Sequence, residues 1–153
     1  GTPQSHRGAI YPALTDEKIA ELLQDIQEDT LIAGHTHLPL DKQSGRWQIL
    51  NPGSVGIPLD GQFTASYMLL NGDERGWKAT FRRVPFDYIP VLEEFERLGF
   101  TEECGVIGQL IVESFKTARS QRGFFDWQRK NYPDDVLSKE LLAAYYNTCS
   151  EKP

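Results

Sequence analysis

At 153 residues, with 39% apolar and 25% charged residues, the chain has the make-up of a soluble domain large enough for its own core. A net charge of −6 argues against a dedicated nucleic-acid binder, yet leaves anionic substrates open, because a bound metal can dominate a site locally. Two distant cysteines, Cys104 and Cys149, with no CxxC pattern, fit a reducing, cytoplasmic setting; no apolar run approaches the ~20 residues of a membrane span, and the polar opening "GTPQSHRGAIYP" does not read as a signal peptide.

In chain order, "TDEKIAELLQDIQED" predicts an amphipathic helix. Ile19, Leu22, Leu23 and Ile26 recur at i, i+3, i+4 and i+7, Thr15 is suited to the N-cap, and Asp16 and Glu17 complement the helix dipole. "TLIA" reads as a short buried strand running into Gly34, which is expected to let the backbone turn tightly. "RWQILN" is a second strand, ended by the turn signal Asn51-Pro52-Gly53. "ASYMLLN" and "WKATFRRV" follow, joined by the hairpin loop "GDERG". In the latter strand Trp77, Ala79 and Phe81 alternate with Lys78, Thr80 and Arg82, the period of a half-buried strand. After Pro85 the pattern turns helical. "PVLEEFERLG" has Pro90 near its start and Gly99 at its end, "TEECGVIGQLIVESFKTA" carries a stripe of Val106, Ile107, Leu110, Ile111 and Phe115, and "DDVLSKELLAAYY" closes the series. One helix, four strands and a helical tail suggest α+β or part of a layered α/β fold, with a division into residues 1–87 and 88–153.

Chemistry concentrates in "LIAGHTHLPL". His35 and His37 are two apart at a strand end, a rigid platform of the kind a metal site needs. Spacing alone fits a polar surface pair better than a metal site. On a loop, side chains at i and i+2 can fan apart and reach two metals ~3.5–4 Å apart, the separation of two-metal phosphate sites. The second segment, "NPGSVGIPLDG", imposes an unusual backbone whose N–H groups are able to face an anion, or it is an ordinary turn.

Together, "AGHTH", "NPGSVG", "ASYMLL" and "FRRVPFD" resemble the calcineurin-like metallophosphoesterases, and most of all their small bacterial and archaeal phosphodiesterase branch, over roughly Gly1 to Asp87. The resemblance implies an α/β fold, the C-terminal part of a four-layer α/β/β/α sandwich; the helical C-terminal extension, residues 88–153, matches nothing in it and is expected to pack on the same domain. It implies phosphoester hydrolysis by water activated between two divalent transition metals (Mn, Fe, Ni or Zn). Carried onto this chain, it makes His35 a ligand of the second metal and His37 of the first, with Asn51, Gly53 and Ser54 in a supporting loop beside the site.

The family's Asp-x-His, Gly-Asp and Gly-Asn-His motifs do not occur here. The expectation is therefore the C-terminal half of a longer enzyme, inactive by itself. Its partner is then the missing N-terminal half, held as a separate piece or replaced by pairing with another copy as a homo-oligomer. Other candidate ligands are weaker: His6 reads as a solvated loop histidine, and Asp41 and Asp60 as solvated turn carboxylates. Two histidines fill at most half of a tetrahedral site.

The segment "FKTARSQRGFFDWQRKN" interleaves Lys116, Arg119, Arg122, Arg129 and Lys130 with Phe124, Phe125 and Trp127. Such a pattern suits single-stranded nucleic acid, but core aromatics with solvated charges explain it better in an acidic chain. The alternative to an enzyme is a non-catalytic scaffold on the same fold, for which the two histidines have no use.

Overall fold

The computed structural model describes Thr2 and residues 8–150; His6 lies outside the described residues. The chain forms two compact units, residues 1–86 and 87–153.

In the first unit, α1 (Asp16–Leu23) is capped as its sequence asks, with the Thr15 hydroxyl accepting from Lys18 N at 3.4 Å. Ile19 and Leu23 are fully buried against Ile10, Leu40 and Ile49. The helix is shorter than its apolar pattern predicts. It stops after Leu23, yet Ile26 still packs on this core, because Ile26 N–H turns back to the Leu23 carbonyl at 2.9 Å. The Arg46 guanidinium then takes the carbonyls of Ile26 and Gln27 and the Asp29 carboxylate.

Three strands lie in the order β1-β3-β2: β1 (Thr30–Ile32), β2 (Pro39–Ser44) and β3 (Trp47–Pro52). β1 runs parallel to β3, with Leu31 opposite Ile49, and β2 is antiparallel to β3, with Leu40 opposite Asn51. In central β3, Ile49, Leu50 and Asn51 are all buried, so both faces are covered. Among the described residues β1 has β3 as its one strand neighbour, and Ile32 is 55% exposed, so it is not the buried strand its composition suggests. β2 is a strand that the apolar pattern missed. Its inward positions are Leu40, Lys42 and Ser44, of which one is apolar, and Pro39 opens it as an edge strand allows. Its polar inward residues are anchored instead: Ser44 Oγ donates to Asp16 at 3.0 Å and Lys42 Nζ to the Leu14 carbonyl at 2.6 Å.

β4 (Thr64–Asp73) and β5 (Gly76–Pro85) form a long antiparallel hairpin. Its turn is set by Asp73, whose carboxylate accepts Arg75 N–H at 2.8 Å. The predicted alternation along β5 is not matched by burial: Trp77 is 52% exposed, with its ring over Gly72 of the paired strand. A strand with one neighbour in a two-stranded sheet leaves such a side chain open to solvent.

The second unit is helical: α2 (Ile89–Arg97), α3 (Phe100–Thr117), α4 (Arg122–Asn131) and α5 (Lys139–Ser150). Val106, Leu110, Phe124, Leu141 and Leu142 form its core, with Phe125, Trp127 and Tyr145 packed on it. Of the predicted α3 stripe, Val106, Leu110 and Phe115 are buried but Ile107 is 43% exposed. Gly105, at φ 58 and ψ −135, breaks α3 into two helical pieces immediately before this stripe. The basic-aromatic segment folds as helix: Phe124 is in the core, and Arg122 and Arg129 both reach the Asp126 carboxylate. No helix among the described residues is long and apolar enough to cross a membrane.

Candidate metal-binding site

The histidines lie on the loop joining β1 to β2. The Ala33 N–H donates to the Leu50 carbonyl at 2.8 Å, extending the parallel pairing by one residue before the chain leaves the sheet. Thr36 N–H then turns back to the Gly34 carbonyl at 3.0 Å, across His35 at φ 76. A three-residue turn with a central φ near +75° is a γ-turn, rare and strained. His37, at φ 59, is a second left-handed residue two positions on. Gly34 itself has no such φ, so the tight turn expected of it falls on the two histidines instead. Backbone strain of ~1–3 kcal/mol per residue persists only where the surroundings hold it, and it gathers at functional sites.

What holds it here is Asn51, at the end of β3 and 1% exposed. Its Nδ2 donates to Thr36 Oγ1 at 3.0 Å and to the Gly34 carbonyl at 3.3 Å, and its Oδ1 accepts Gly53 N–H at 2.9 Å. Thr36, 5% exposed between two histidines, also accepts Leu38 N–H at 3.3 Å. With Thr36 pinned inward, His35 is exposed and His37 half-buried.

Gly53 closes the Asn51 turn at φ 85, and a Cβ there would lie 2.9 Å from Pro39 and from Ser66. Ser66 Oγ is buried against it with no hydrogen-bond partner among the described residues. Ser54 ties the turn to β4, its carbonyl accepting Ser66 N–H at 2.8 Å, while its hydroxyl accepts Ile57 N–H at 3.0 Å. The Ile57 carbonyl in turn lies 2.8 Å from His37 Nδ1. A carbonyl oxygen only accepts, so Nδ1 carries the proton, and in the neutral ring Nε2 keeps the lone pair a metal requires. Metal-ligating histidines characteristically donate their other ring N–H in this way.

The structure thus brings His35, His37, Asn51, Gly53 and Ser54 into one network. Thr36, Ile57 and Ser66 belong to it too and were not singled out from sequence. Ile57 contributes only its backbone, which has no residue signature. Asp60 is not the solvated carboxylate expected of it: its side chain is 14% exposed and pairs with Arg83, which also bonds Thr64 Oγ1 at 3.2 Å. Asp41 is exposed on β2, with Gln48 Nε2 at 3.4 Å. Among the described residues no cluster of three or more His, Cys, Asp or Glu is placed to hold a metal. The two imidazoles fit a metal centre as part of its ligand set, not the whole.

Residues 5–75 match the family model of the calcineurin-like phosphoesterase superfamily domain. A 47-residue stretch is 51% identical to phosphodiesterase YfcE of Escherichia coli K12, covering 31% of this chain and 25% of that one. Uncharacterized protein MJ0912 of Methanocaldococcus jannaschii is 26% identical over 118 residues, 66% of this chain and 48% of its own. The crystal structure of hypothetical protein PH1004 from Pyrococcus horikoshii OT3 aligns with a TM-score of 0.63 at 19% identity, over 78% of this chain and 45% of that chain, and so shares its mixed α/β fold. The chain spans between a quarter and about half the length of these relatives. Over residues 5–75, then, the chain is similar to the calcineurin-like phosphoesterase superfamily domain.

Proposed function

We propose that His35 and His37 are two ligands of a dinuclear divalent-metal centre that hydrolyses phosphoesters, His35 serving the second metal and His37 the first. The observation that carries this reading is the His37 ring, whose Nδ1 donates to the Ile57 carbonyl and whose Nε2 is left with its lone pair. His35 stands exposed beside it on the same strained turn. When bound, such metals polarise a phosphoryl oxygen and lower the pKa of a water nucleophile. The part of this chain is to present two imidazoles on a backbone that Asn51 holds fixed. Manganese, iron, nickel and zinc all accept imidazole ligands.

Two histidines are too few, so polypeptide beyond these 153 residues supplies the remaining ligands, and the chain by itself binds metal weakly and turns nothing over. The relatives, at two to four times the matched length, support a larger unit. Exposed free thiols at Cys104 and Cys149 suit a reducing cytoplasm.

The test is a Mn²⁺ titration of the 15N-labelled chain followed by NMR, with bis(p-nitrophenyl) phosphate as the reporter of turnover. Paramagnetic broadening is expected first at residues 34–38, and it is expected to vanish in His35→Ala/His37→Ala, with hydrolysis at background throughout. Broadening centred elsewhere would remove the ligand assignment, and brisk turnover would remove the incomplete ligand set.

A further inference from the structure

We propose that Ser54 is a positioning residue for His37: acting through the Ile57 peptide, it selects the imidazole tautomer whose proton is on Nδ1. The inference deepens the metal-centre reading and rests on it only for what Nε2 faces; the tautomer stands on the hydrogen bonds alone.

A free neutral histidine prefers its proton on Nε2, the wrong tautomer for a ligand that binds through Nε2. Something must reverse that preference, and a well-aimed acceptor at Nδ1 does so. The Ile57 carbonyl is that acceptor, at 2.8 Å and 20 residues along the chain. Its direction depends on both dihedrals of Ile57, and each has a separate restraint. On the N-terminal side, Ile57 N–H is held by Ser54 Oγ at 3.0 Å. On the C-terminal side, Pro58 follows, and the residue before a proline is confined to extended ψ. Pro58 is itself buried, so the far end of that peptide is packed in place. Ser54 is anchored in its turn, since its carbonyl accepts Ser66 N–H from β4 at 2.8 Å. The relay from β4 through Ser54 and Ile57 to the His37 ring has no loose member. Val55 and Gly56, the two residues it spans, are exposed.

The experiment is a long-range 1H–15N spectrum of the metal-free, uniformly labelled chain at a pH where its histidines are neutral. It is recorded for the unaltered chain, Ser54→Ala, Ser54→Thr and Pro58→Ala, with His37 assigned by loss of its signals in His37→Gln. The unaltered chain is expected to give His37 a pyrrole-type Nδ1 and a pyridine-type Nε2. Ser54→Ala is expected to shift the ring toward the Nε2–H form, Ser54→Thr to restore it, and Pro58→Ala to shift it part of the way. An unaltered ring already in the Nε2–H form overturns the proposal, as does a Ser54→Ala ring that keeps its proton on Nδ1. Should Ser54→Ala unfold, Pro58→Ala and the unaltered chain still decide. In the Mn²⁺ titration Ser54→Ala is expected to weaken binding about 10-fold, as loss of such an outer hydrogen bond does. A ring that switches tautomer in Ser54→Ala while Mn²⁺ broadens nothing near it keeps the relay and discards the metal reading.

Discussion

Asn51 uses both ends of its amide, donors toward the histidine loop and the acceptor toward Gly53, so one buried side chain couples two segments of opposite chemistry. The coupling works only if the chain comes close at Gly53, where φ is 85 and a Cβ would lie 2.9 Å from Pro39 and Ser66. Gly53→Ala is expected to cost about 2–4 kcal/mol, from left-handed strain and overpacking together. Gly34→Ala, one residue before the histidines and open on all sides, is expected to stay within about 0.5 kcal/mol. Urea denaturation of the two variants side by side checks the contrast; equal losses would mean that glycine content rather than geometry matters in these loops. Reading the sequence, Gly34 is the more conspicuous of the two, because it stands beside the histidines. What makes Gly53 strict is a pair of neighbours, one 14 residues before it and one 13 after, and no local pattern records them. The histidines and the Asn-Pro-Gly-Ser turn were legible because their side chains carry the chemistry. The acceptor at His37 was not, because it is a peptide carbonyl.

Among the elements, those with apolar residues on one face or clear end signals were readable: α1, α2, α3 and α5, and strands β1, β3, β4 and β5 in position, though β1 and β5 not in burial. β2 was not, since its inward face is one leucine, a lysine stem and a serine whose anchorage lies on α1. The break in α3 was hidden for the opposite reason: the stripe from Val106 to Phe115 is regular in spacing and composition, and a glycine just before it leaves open whether the helix is continuous from Phe100. Gly105 adopts φ 58 and ψ −135, a region almost confined to glycine, and a Cβ there would meet nothing within 4 Å. The sign of one substitution therefore separates the two cases. In a continuous helix Gly105→Ala would stabilise by up to about 1 kcal/mol. At the observed break it is expected to destabilise by about 1–3 kcal/mol, with strain as the sole cause. Thermal unfolding of the whole chain, followed by far-UV circular dichroism, gives that sign directly.

For the molecule as a whole, connectivity sets what is made early and what is made late. β2 and β3 are joined by the two-residue turn Gly45-Arg46, with Gly45 at φ 57 in the first central position, where the tight hairpin turns need it. That hairpin closes locally. β1 reaches β3 only in parallel, across a connection that contains the whole of β2. Hydrogen exchange of the intact chain is expected to be slowest at Ile49 and Leu50 in the central strand and fastest, within this sheet, from Gly34 to Leu38; a loop as protected as β3 would contradict it. Contacts between distant parts of a chain form after local ones, so the β1–β3 pairing that leads into the strained turn at His35 is expected to close last in its unit and to open first. A dinuclear centre held by both histidines, as proposed above, would act as a latch on that step. It would slow the release of β1 from β3, and its arrival would be readable in the exchange of amides that never touch it.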